Sequence, residues 1–340
     1  MVLLRLKNIV IMMLLAAAVV CVPVYVCAAA ETGGGISAQQ MTQAQELFRQ
    51  GTSAIQGGQI SQAKDYFDRA VAIDSRLAAQ SHFILAAGYM AQRNTETAIK
   101  EYKQTVELAP QNIMARINLA QAYMLNKQMD KVVDTYNGII AIQPQSALPH
   151  YNLATIYMQQ GWFVEAVEEY GKALKLDEKM LGGTNIYLQL GYAHEQLKHY
   201  DKSVAAYNKF IEKHPDNIQA LFNLANVYYA MRDMEKAVEN YEAAIKIKPD
   251  VAEMHGNAGL CYFHQDKYDM AQKSFTTALQ LKPNLVEALF GMSKLYKKKG
   301  NFAKAYNYAL KAQKNGLKVS QKYLDGLKDK MDPIKQNLAK

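Results

Sequence analysis

Proline recurs along this 340-residue chain at a fixed interval. Pro110 and Pro144 are 34 residues apart, and so are the successive residues Pro215, Pro249 and Pro283. The gap from Pro144 to Pro215 is 71 residues, which leaves room for one further unit with a three-residue insertion. A fixed interval of this length is typical of a chain built from stacked copies of one small unit. The repeat therefore predicts a stack of small units, whereas the length alone would suggest two globular domains.

Each unit repeats one pattern of large and small residues. Counted from its own start, a unit has a large residue at position 4, Leu at 7, Gly or Ala at 8 and Tyr at 11. Ala at 20, an aromatic residue at 24, Ala at 27 and Pro at 32 follow. At about 100° per residue, the first four positions share one face of a helix, and positions 20, 24 and 27 share one face of a second helix. The unit that starts at Ile218 shows the whole pattern, with Leu221, Leu224, Ala225, Tyr228, Ala237, Tyr241, Ala244 and Pro249.

Eight such units follow one another, and their pattern resembles the tetratricopeptide repeat (TPR) family. Their first residues are Ala44, Ala79, Ile113, Ala147, Thr184, Ile218, Ala252 and Val286. The resemblance implies an all-α, right-handed superhelical solenoid of helix–turn–helix repeats over residues 44–319. The terminal units match least well, as capping units do. Apolar residues at helical spacing after Val319 predict a capping helix, followed by a tail, in residues 320–340.

The first 30 residues have the three-part pattern of a secretory signal peptide. Arg5 and Lys7 precede an apolar stretch, and Ala28-Ala29-Ala30 places small residues at the cleavage site. We predict cleavage after residue 30, giving an exported chain that is periplasmic or secreted. The alternative is an uncleaved membrane anchor with the solenoid outside the cytoplasm, because the apolar stretch of residues 8–26 is long enough to span a bilayer.

Two short segments interrupt the repeats or precede them. Residues 31–43 contain Gly33-Gly34-Gly35 and predict a flexible tether. Leu181-Gly182-Gly183 carries the insertion between the fourth and fifth repeats. A longer surface turn is the simpler interpretation of this insertion, and a hinge in the solenoid is the alternative.

The first helix of each repeat presents a second face, opposite its packing face. In the family that this chain resembles, positions 2, 5, 6, 9, 12 and 13 line a concave groove that binds peptides; we call these positions the groove face. Amides, aromatic rings and one threonine hydroxyl lie there and predict contacts with the backbone and apolar side chains of a bound protein segment. These residues are Asn118, Gln121, Tyr151, Asn152, Thr155, Gln189, Phe222, Asn223, Asn226 and Asn257. Two alternatives stay open: the amides belong to the family pattern whatever the ligand, and neighbouring helices cover the apolar residues.

Positive charge is concentrated at the C-terminal end of the chain. From Val286 onward there are 13 lysines and 4 acidic residues, within a chain of net charge +8. Lys294, Lys297 and Lys298 lie on the predicted groove face. This basic end predicts contact with a membrane or another polyanion, such as an acidic glycan or partner surface. The alternative is a solvated cap, and export argues against nucleic acid as the partner.

Catalytic and cofactor motifs are missing from the sequence. There is no Gly-rich phosphate loop, nucleophile elbow or metal-ligand spacing, so we predict no enzymatic activity, no cofactor and no metal site. The nearest cluster, His255, Cys261 and His264, spreads around its helix. Family members that grip a carboxylate use Lys or Arg at positions 2, 5 and 6, where this chain has only Arg49. We also expect no catalytic domain after Val319.

Two hypotheses of function follow from these features. The first is a non-enzymatic protein–protein interaction scaffold or adaptor that holds a protein segment in its groove. The second is a structural part of a cell-envelope assembly or secretion machine, of the pilus or exopolysaccharide export type, which docks through its basic end. Salt separates them, because docking through lysines weakens steeply as charge is screened.

Overall fold

The computed structural model describes residues 36–181 and 185–331. Every regular element among these residues is helical: seventeen α-helices and one 3₁₀ turn, Ser75–Leu77. The all-α repeat fold is therefore confirmed. The helices belong to two compact units, the first ending at Leu153 and the second beginning at Ala154.

Sixteen of the helices form eight consecutive pairs, one pair for each predicted repeat. The seventeenth helix, α17 (Gln321–Met331), follows the last pair. The pairs are α1 (Ala38–Gln56) and α2 (Ile60–Ile73); α3 (Ala78–Ala91) and α4 (Thr95–Leu108); α5 (Ile113–Leu125) and α6 (Met129–Ile142); α7 (Ala147–Gln160) and α8 (Phe163–Leu181); α9 (Ile186–Gln196) and α10 (Tyr200–Lys213); α11 (Ile218–Ala230) and α12 (Met234–Ile247); α13 (Ala252–His264) and α14 (Tyr268–Leu281); α15 (Val286–Lys298) and α16 (Phe302–Lys314).

A single residue in the left-handed region turns the chain between the two helices of every pair. It stands at repeat position 15 and is Gly58, Arg93, Lys127, Gly161, Lys198, Arg232, Asp266 or Gly300. Glycine adopts this conformation without steric penalty, whereas an L side chain is strained there by roughly 1–2 kcal/mol. Because five of the eight residues are not glycine, the packing of the two helices sets the turn more strongly than the local preference does.

Small residues at positions 8 and 20 let the paired helices approach the large ring at position 24. In the sixth repeat Ala225, Ala237 and Tyr241 are buried in one cluster. The fifth repeat has Gly191 at position 8, and a Cβ there would lie 2.5 Å from Cδ1 of Tyr207. The spacing seen in the sequence therefore reflects direct contact between helices.

The ends of the solenoid differ in part from the prediction. Ser37 caps α1: its Oγ accepts from the Gln40 N–H at 3.2 Å, and its own N–H donates to Gln40 Oε1 at 2.9 Å. Residues 38–43 are therefore helix, and the predicted tether over residues 31–43 extends too far. At the other end α17 packs on the last repeat through Leu324 and Leu327, as a capping helix does.

Several sequence predictions concern residues outside the described part of the chain. These are the signal peptide or anchor in residues 1–30, the start of the tether, the insertion at residues 182–184 and the tail after Met331. Just before the insertion, Glu178 stands where other repeats carry proline, and α8 continues to Leu181 past a non-helical Asp177. Among the described helices, none has both the length and the apolar composition needed to cross a membrane.

Candidate functional site

Aromatic rings at position 5 of the groove face pack at an angle on aromatic rings of the core. In three repeats the ring at position 5 packs on the ring at position 24 of the same repeat. The ring centroids are 5.2 Å apart for Phe48 and Phe67, 5.8 Å for Phe83 and Tyr102, and 5.7 Å for Phe222 and Tyr241. Phe222 is partly buried in this way. Its ring therefore supports the core with one side, as the alternative of partial cover by neighbouring helices expects, and its role as a groove contact stays a prediction.

The phenol groups at position 24 bond to the polar side chains of the groove face. Tyr241 donates to Oδ1 of Asn226, and Asn257 Nδ2 donates to the same oxygen at 3.3 Å. Thr155 Oγ1 lies 3.2 Å from the hydroxyl of Tyr170. These groove-face residues are thus joined by hydrogen bonds to the core, and Asn226 and Asn257 join neighbouring repeats.

Asn118 is the clearest departure from the prediction. It is only 3% exposed, and neither atom of its amide makes a hydrogen bond of normal geometry in the described residues. Burial raises the pKa of the neighbouring phenol of Tyr102, and the Asn118 amide acts against that rise. Position 6 borders the packing face of the first helix, so the position-24 ring of the preceding repeat covers it. Asn118 is therefore not available for direct contact with a ligand.

A pairing between repeats explains the amides at position 6. Where position 24 is tyrosine, position 6 of the next repeat is Asn or Gln, and where it is phenylalanine, that position has no polar side chain. The tyrosine pairs are Tyr102–Asn118, Tyr136–Asn152, Tyr170–Gln189, Tyr207–Asn223 and Tyr241–Asn257, and the phenylalanine pairs are Phe67–Ile84 and Phe275–Gly291. Burial raises the pKa of Tyr102, Tyr207 and Tyr241, and the neighbouring amides of Asn118, Asn223 and Asn257 act against that rise. This signal was present in the sequence, and an analysis confined to single repeats misses it.

Three large apolar side chains are exposed on the groove face of the first unit. Met114, Leu125 and Leu148 occupy positions 2 and 13 and are 47%, 65% and 49% exposed. Gln121 is exposed among them, while Tyr151 and Asn152 are partly buried. Exposed apolar side chains that share one face are typical of a surface that binds another protein.

The groove face of the second unit is more polar. Tyr207 donates to Oε2 of Glu195 at 3.2 Å, and burial raises the pKa of that carboxyl group. The hydroxyl of Tyr229 lies 3.4 Å from Nε2 of His264. Burial lowers the pKa of His264, and the nearby charges of Lys294 and Arg232 lower it further. Gln189, Asn223, Asn226 and Asn257 are all partly buried here.

At the basic end, lysines lie over aromatic rings. Nζ of Lys294 is 4.9 Å from the centroid of Phe290, and Nζ of Lys297 is 4.6 Å from that of Tyr323. Lys297 and Lys298 are exposed, and Lys294 is partly buried. Neither Lys297 nor Lys298 forms an ion pair with any described residue. Their charge is therefore open to solvent or to an anionic partner.

The described residues offer no centre for metal chemistry. No group of three His, Cys, Asp or Glu side chains among them is placed to hold a metal ion. Cys261 is fully buried, and burial raises the pKa of its thiol to about 12. The thiol is therefore held in its protonated, poorly nucleophilic form.

Comparison with known proteins agrees with this architecture. Five family models, each described as tetratricopeptide repeat, match residues 48–113, 89–156, 147–179, 185–250 and 252–285. No match was found among curated proteins.

Similar solved structures share the fold at low sequence identity. The C-terminal part of a TPR-containing protein from Cytophaga hutchinsonii has a TM-score of 0.58 at 16% identity, over 71% of this chain and 98% of that one. YrrB, described as a TPR protein with an unusual peptide-binding site, has a TM-score of 0.46 at 20% identity, over 53% and 92%. MamA has a TM-score of 0.45 at 21% identity, over 48% and 94%.

Proposed function

Because the chain belongs to the tetratricopeptide repeat family, we propose that it is a protein-interaction scaffold without enzymatic activity, and that its groove face binds a protein segment. The family's fold generally serves as an interaction scaffold, and TPR models match most of the chain. The observation that carries the groove proposal is the exposure of Met114, Leu125 and Leu148 on one side of their helices. Large apolar side chains that are exposed on a helix face are typical of a surface that binds another protein.

The amides of the groove face add hydrogen bonds for the backbone of the bound segment. A side-chain amide has two donor hydrogens and can accept two hydrogen bonds. The phenol of Tyr241 and the amide of Asn257 both use the oxygen of Asn226. Such bonds hold the amides in fixed positions, which lowers the entropy that a ligand must overcome when it binds.

Site-specific photo-cross-linking in the native cells tests the groove proposal. A photoreactive residue replaces Gln121 or Leu148 on the groove face, or Met270 on α14 as the control, since Met270 is 47% exposed on a second helix. We expect the same protein adduct at both groove positions and none at Met270. Equal adducts at all three positions, or adducts at Met270 alone, would refute groove binding.

We further propose that the chain is exported through its first 30 residues. The support is the order of basic start, apolar stretch and small residues before Glu31. Cell fractionation with N-terminal sequencing tests it: a mature form that begins at Glu31 outside the cytoplasm is expected. An intact N-terminus in the membrane would favour the anchor, and an intact cytoplasmic chain would exclude export.

A second candidate function rests on the basic end. In it, the chain is a structural part of an envelope assembly or secretion machine that docks on a membrane or polyanion. The exposed, unpaired charges of Lys297 and Lys298 favour this candidate. Sedimentation with vesicles of anionic lipid, at low and high salt, tests it. Binding is expected to fall when both lysines become glutamine and to remain when Lys198 and Lys202 do. Salt-independent binding would point to the groove.

A further inference from the structure

Glu195 interrupts the pattern of the groove face. Position 12 holds an apolar or aromatic residue in six repeats and a lysine, Lys297, in the last. Only the fifth repeat has an acidic residue there, which is Glu195. The carboxylate of Glu195 is partly buried and accepts a hydrogen bond from Tyr207 at 3.2 Å. It also lies in the last turn of α9, where the helix dipole disfavours a negative charge.

No cation compensates this charge within the described residues. Glu195 forms no ion pair with a described Lys, Arg or His side chain. The hydrogen bond from Tyr207 is the one contact that stabilises its charged form, and burial acts more strongly against that form. A partly buried carboxylate without a counter-ion is unfavourable, and a cation brought by a partner would relieve the cost.

Aromatic rings stand where a cationic side chain would reach Glu195. Tyr192 precedes it by three residues, so both lie on one face of α9, and Tyr192 is 41% exposed. Tyr229 occupies position 12 of the next repeat, and Tyr229 and Glu195 both raise the pKa of the buried phenol of Tyr241, so both lie near that phenol. Ring faces beside a carboxylate suit the long apolar stem and charged head of Lys or Arg.

We propose that the groove face of the fifth and sixth repeats binds a protein segment through one Lys or Arg side chain, whose cationic group pairs with the carboxylate of Glu195 between Tyr192 and Tyr229. The proposal rests on the proposed function, since it names the partner chemistry at one point of the groove face. Arg suits the site best, because its planar guanidinium can meet the carboxylate and a ring face together.

A purely structural role for Glu195, as acceptor for the phenol of Tyr207, is the competing explanation. Glu195→Gln separates the two, because glutamine keeps the acceptor oxygen and the shape but removes the charge. We expect its thermal unfolding midpoint to be no lower than that of the natural chain, because the acceptor remains and the uncompensated charge is gone. The matched control is Glu253→Gln, which removes one groove-face acid that is already paired with Lys282 at 2.6 Å.

The test uses a random peptide library displayed on phage and selected on the full chain. We expect peptides selected on the natural chain and on Glu253→Gln to be enriched in Lys or Arg, and those selected on Glu195→Gln not to be. A selected peptide whose basic residue is changed to glutamine should lose roughly ten- to hundredfold in affinity for the natural chain. On Glu195→Gln the same change should cost less than about threefold, because the charge partner is already absent.

The outcomes distinguish this inference from the function beneath it. Peptides that bind equally well with and without a basic residue would overturn the role of Glu195 and leave groove binding intact. Enrichment in Lys or Arg that persists on Glu195→Gln would overturn it too. If no selected peptide loses binding when a groove-face residue is substituted, for example in Tyr192→Ala, the proposed function fails together with the inference.

Discussion

Gly291 is the residue at which adding one methyl group should be most harmful. It stands at position 6 of the last repeat, on α15, where a Cβ would lie 2.5 Å from Cε1 and 3.0 Å from Cε2 of Phe275. On α13 a Cβ at Gly259 would lie 2.7 Å from Cδ1 of the same ring. The ring of Phe275 is fully buried between these two backbones, so it cannot move away from either.

The cost of Gly291→Ala follows from these contacts. Forcing a methyl group into a filled site costs typically about 1–3 kcal/mol, and normal carbon–carbon contact is roughly 3.5–4.0 Å, so the upper part of the range applies. Alanine returns about 1 kcal/mol through its better helix propensity. The net loss in the free energy of unfolding is therefore about 1–2 kcal/mol. Gly171→Ala on α8 meets no atom within 4 Å and should gain about 0.5–1 kcal/mol.

Urea unfolding followed by far-ultraviolet circular dichroism compares the two variants. The same chemical change should shift the midpoint downward at Gly291 and upward at Gly171. Adding Phe275→Leu to Gly291→Ala should cost less than the sum of the single changes, because the smaller side chain leaves room. Midpoints that move in the same direction for both glycines, or strictly additive costs, would refute the packing argument.

Three further predictions concern single positions. Tyr241→Phe removes the hydrogen bond to Asn226 and should lower the free energy of unfolding by about 1 kcal/mol in the same assay. An unchanged midpoint would argue that this hydrogen bond does not stabilise the fold. The pKa of His194 is lowered by burial, then by nearby positive charge, so folding favours its neutral form and stability falls as pH drops below about 6.5. Unfolding midpoints measured against pH should show a smaller loss of stability in His194→Tyr. Part of the loss should remain in this variant, because the pKa of His264 is lowered as well. Lys127→Gly relieves a backbone φ of 58° and should raise the free energy of unfolding by about 0.5 kcal/mol, whereas a lower midpoint would contradict the strain argument.

The sequence was sufficient for the architecture because repetition multiplies weak local signals. One repeat gives an ambiguous pattern, but eight copies of the same spacing leave few alternatives, and each predicted pair appears as two helices. Boundaries were harder to predict. Ser37 begins α1 ahead of Ala44, since a capping box depends on two neighbouring side chains and not on the repeat spacing.

The candidate binding residues were less predictable. The angle of a residue around its helix can be read from the sequence, but whether a neighbouring helix buries that residue cannot. Asn118 lies at an angle that borders the packing face, and only the ring of the preceding repeat decides that it is buried. Phe222 is on the predicted face, yet the ring of Tyr241 beneath it makes it part of the core. Both outcomes depend on contacts between helices, which the spacing within one repeat does not contain.

The pairing of tyrosine and amide changes where specificity should be sought. A residue that recurs at one position in most repeats, such as the amide at position 6, is explained by a contact that recurs with it. If the groove face binds a protein segment as proposed, we expect residues that depart from the pattern to distinguish one partner from another. The fifth repeat holds three of these in sequence, Tyr192, His194 and Glu195 at positions 9, 11 and 12. Tyr192 packs on Phe163 at 5.9 Å between ring centroids, and Glu195 accepts a hydrogen bond from Tyr207. Tyr192 is nevertheless 41% exposed and Glu195 has no described counter-ion, so we expect these two groove-face residues to distinguish one partner from another.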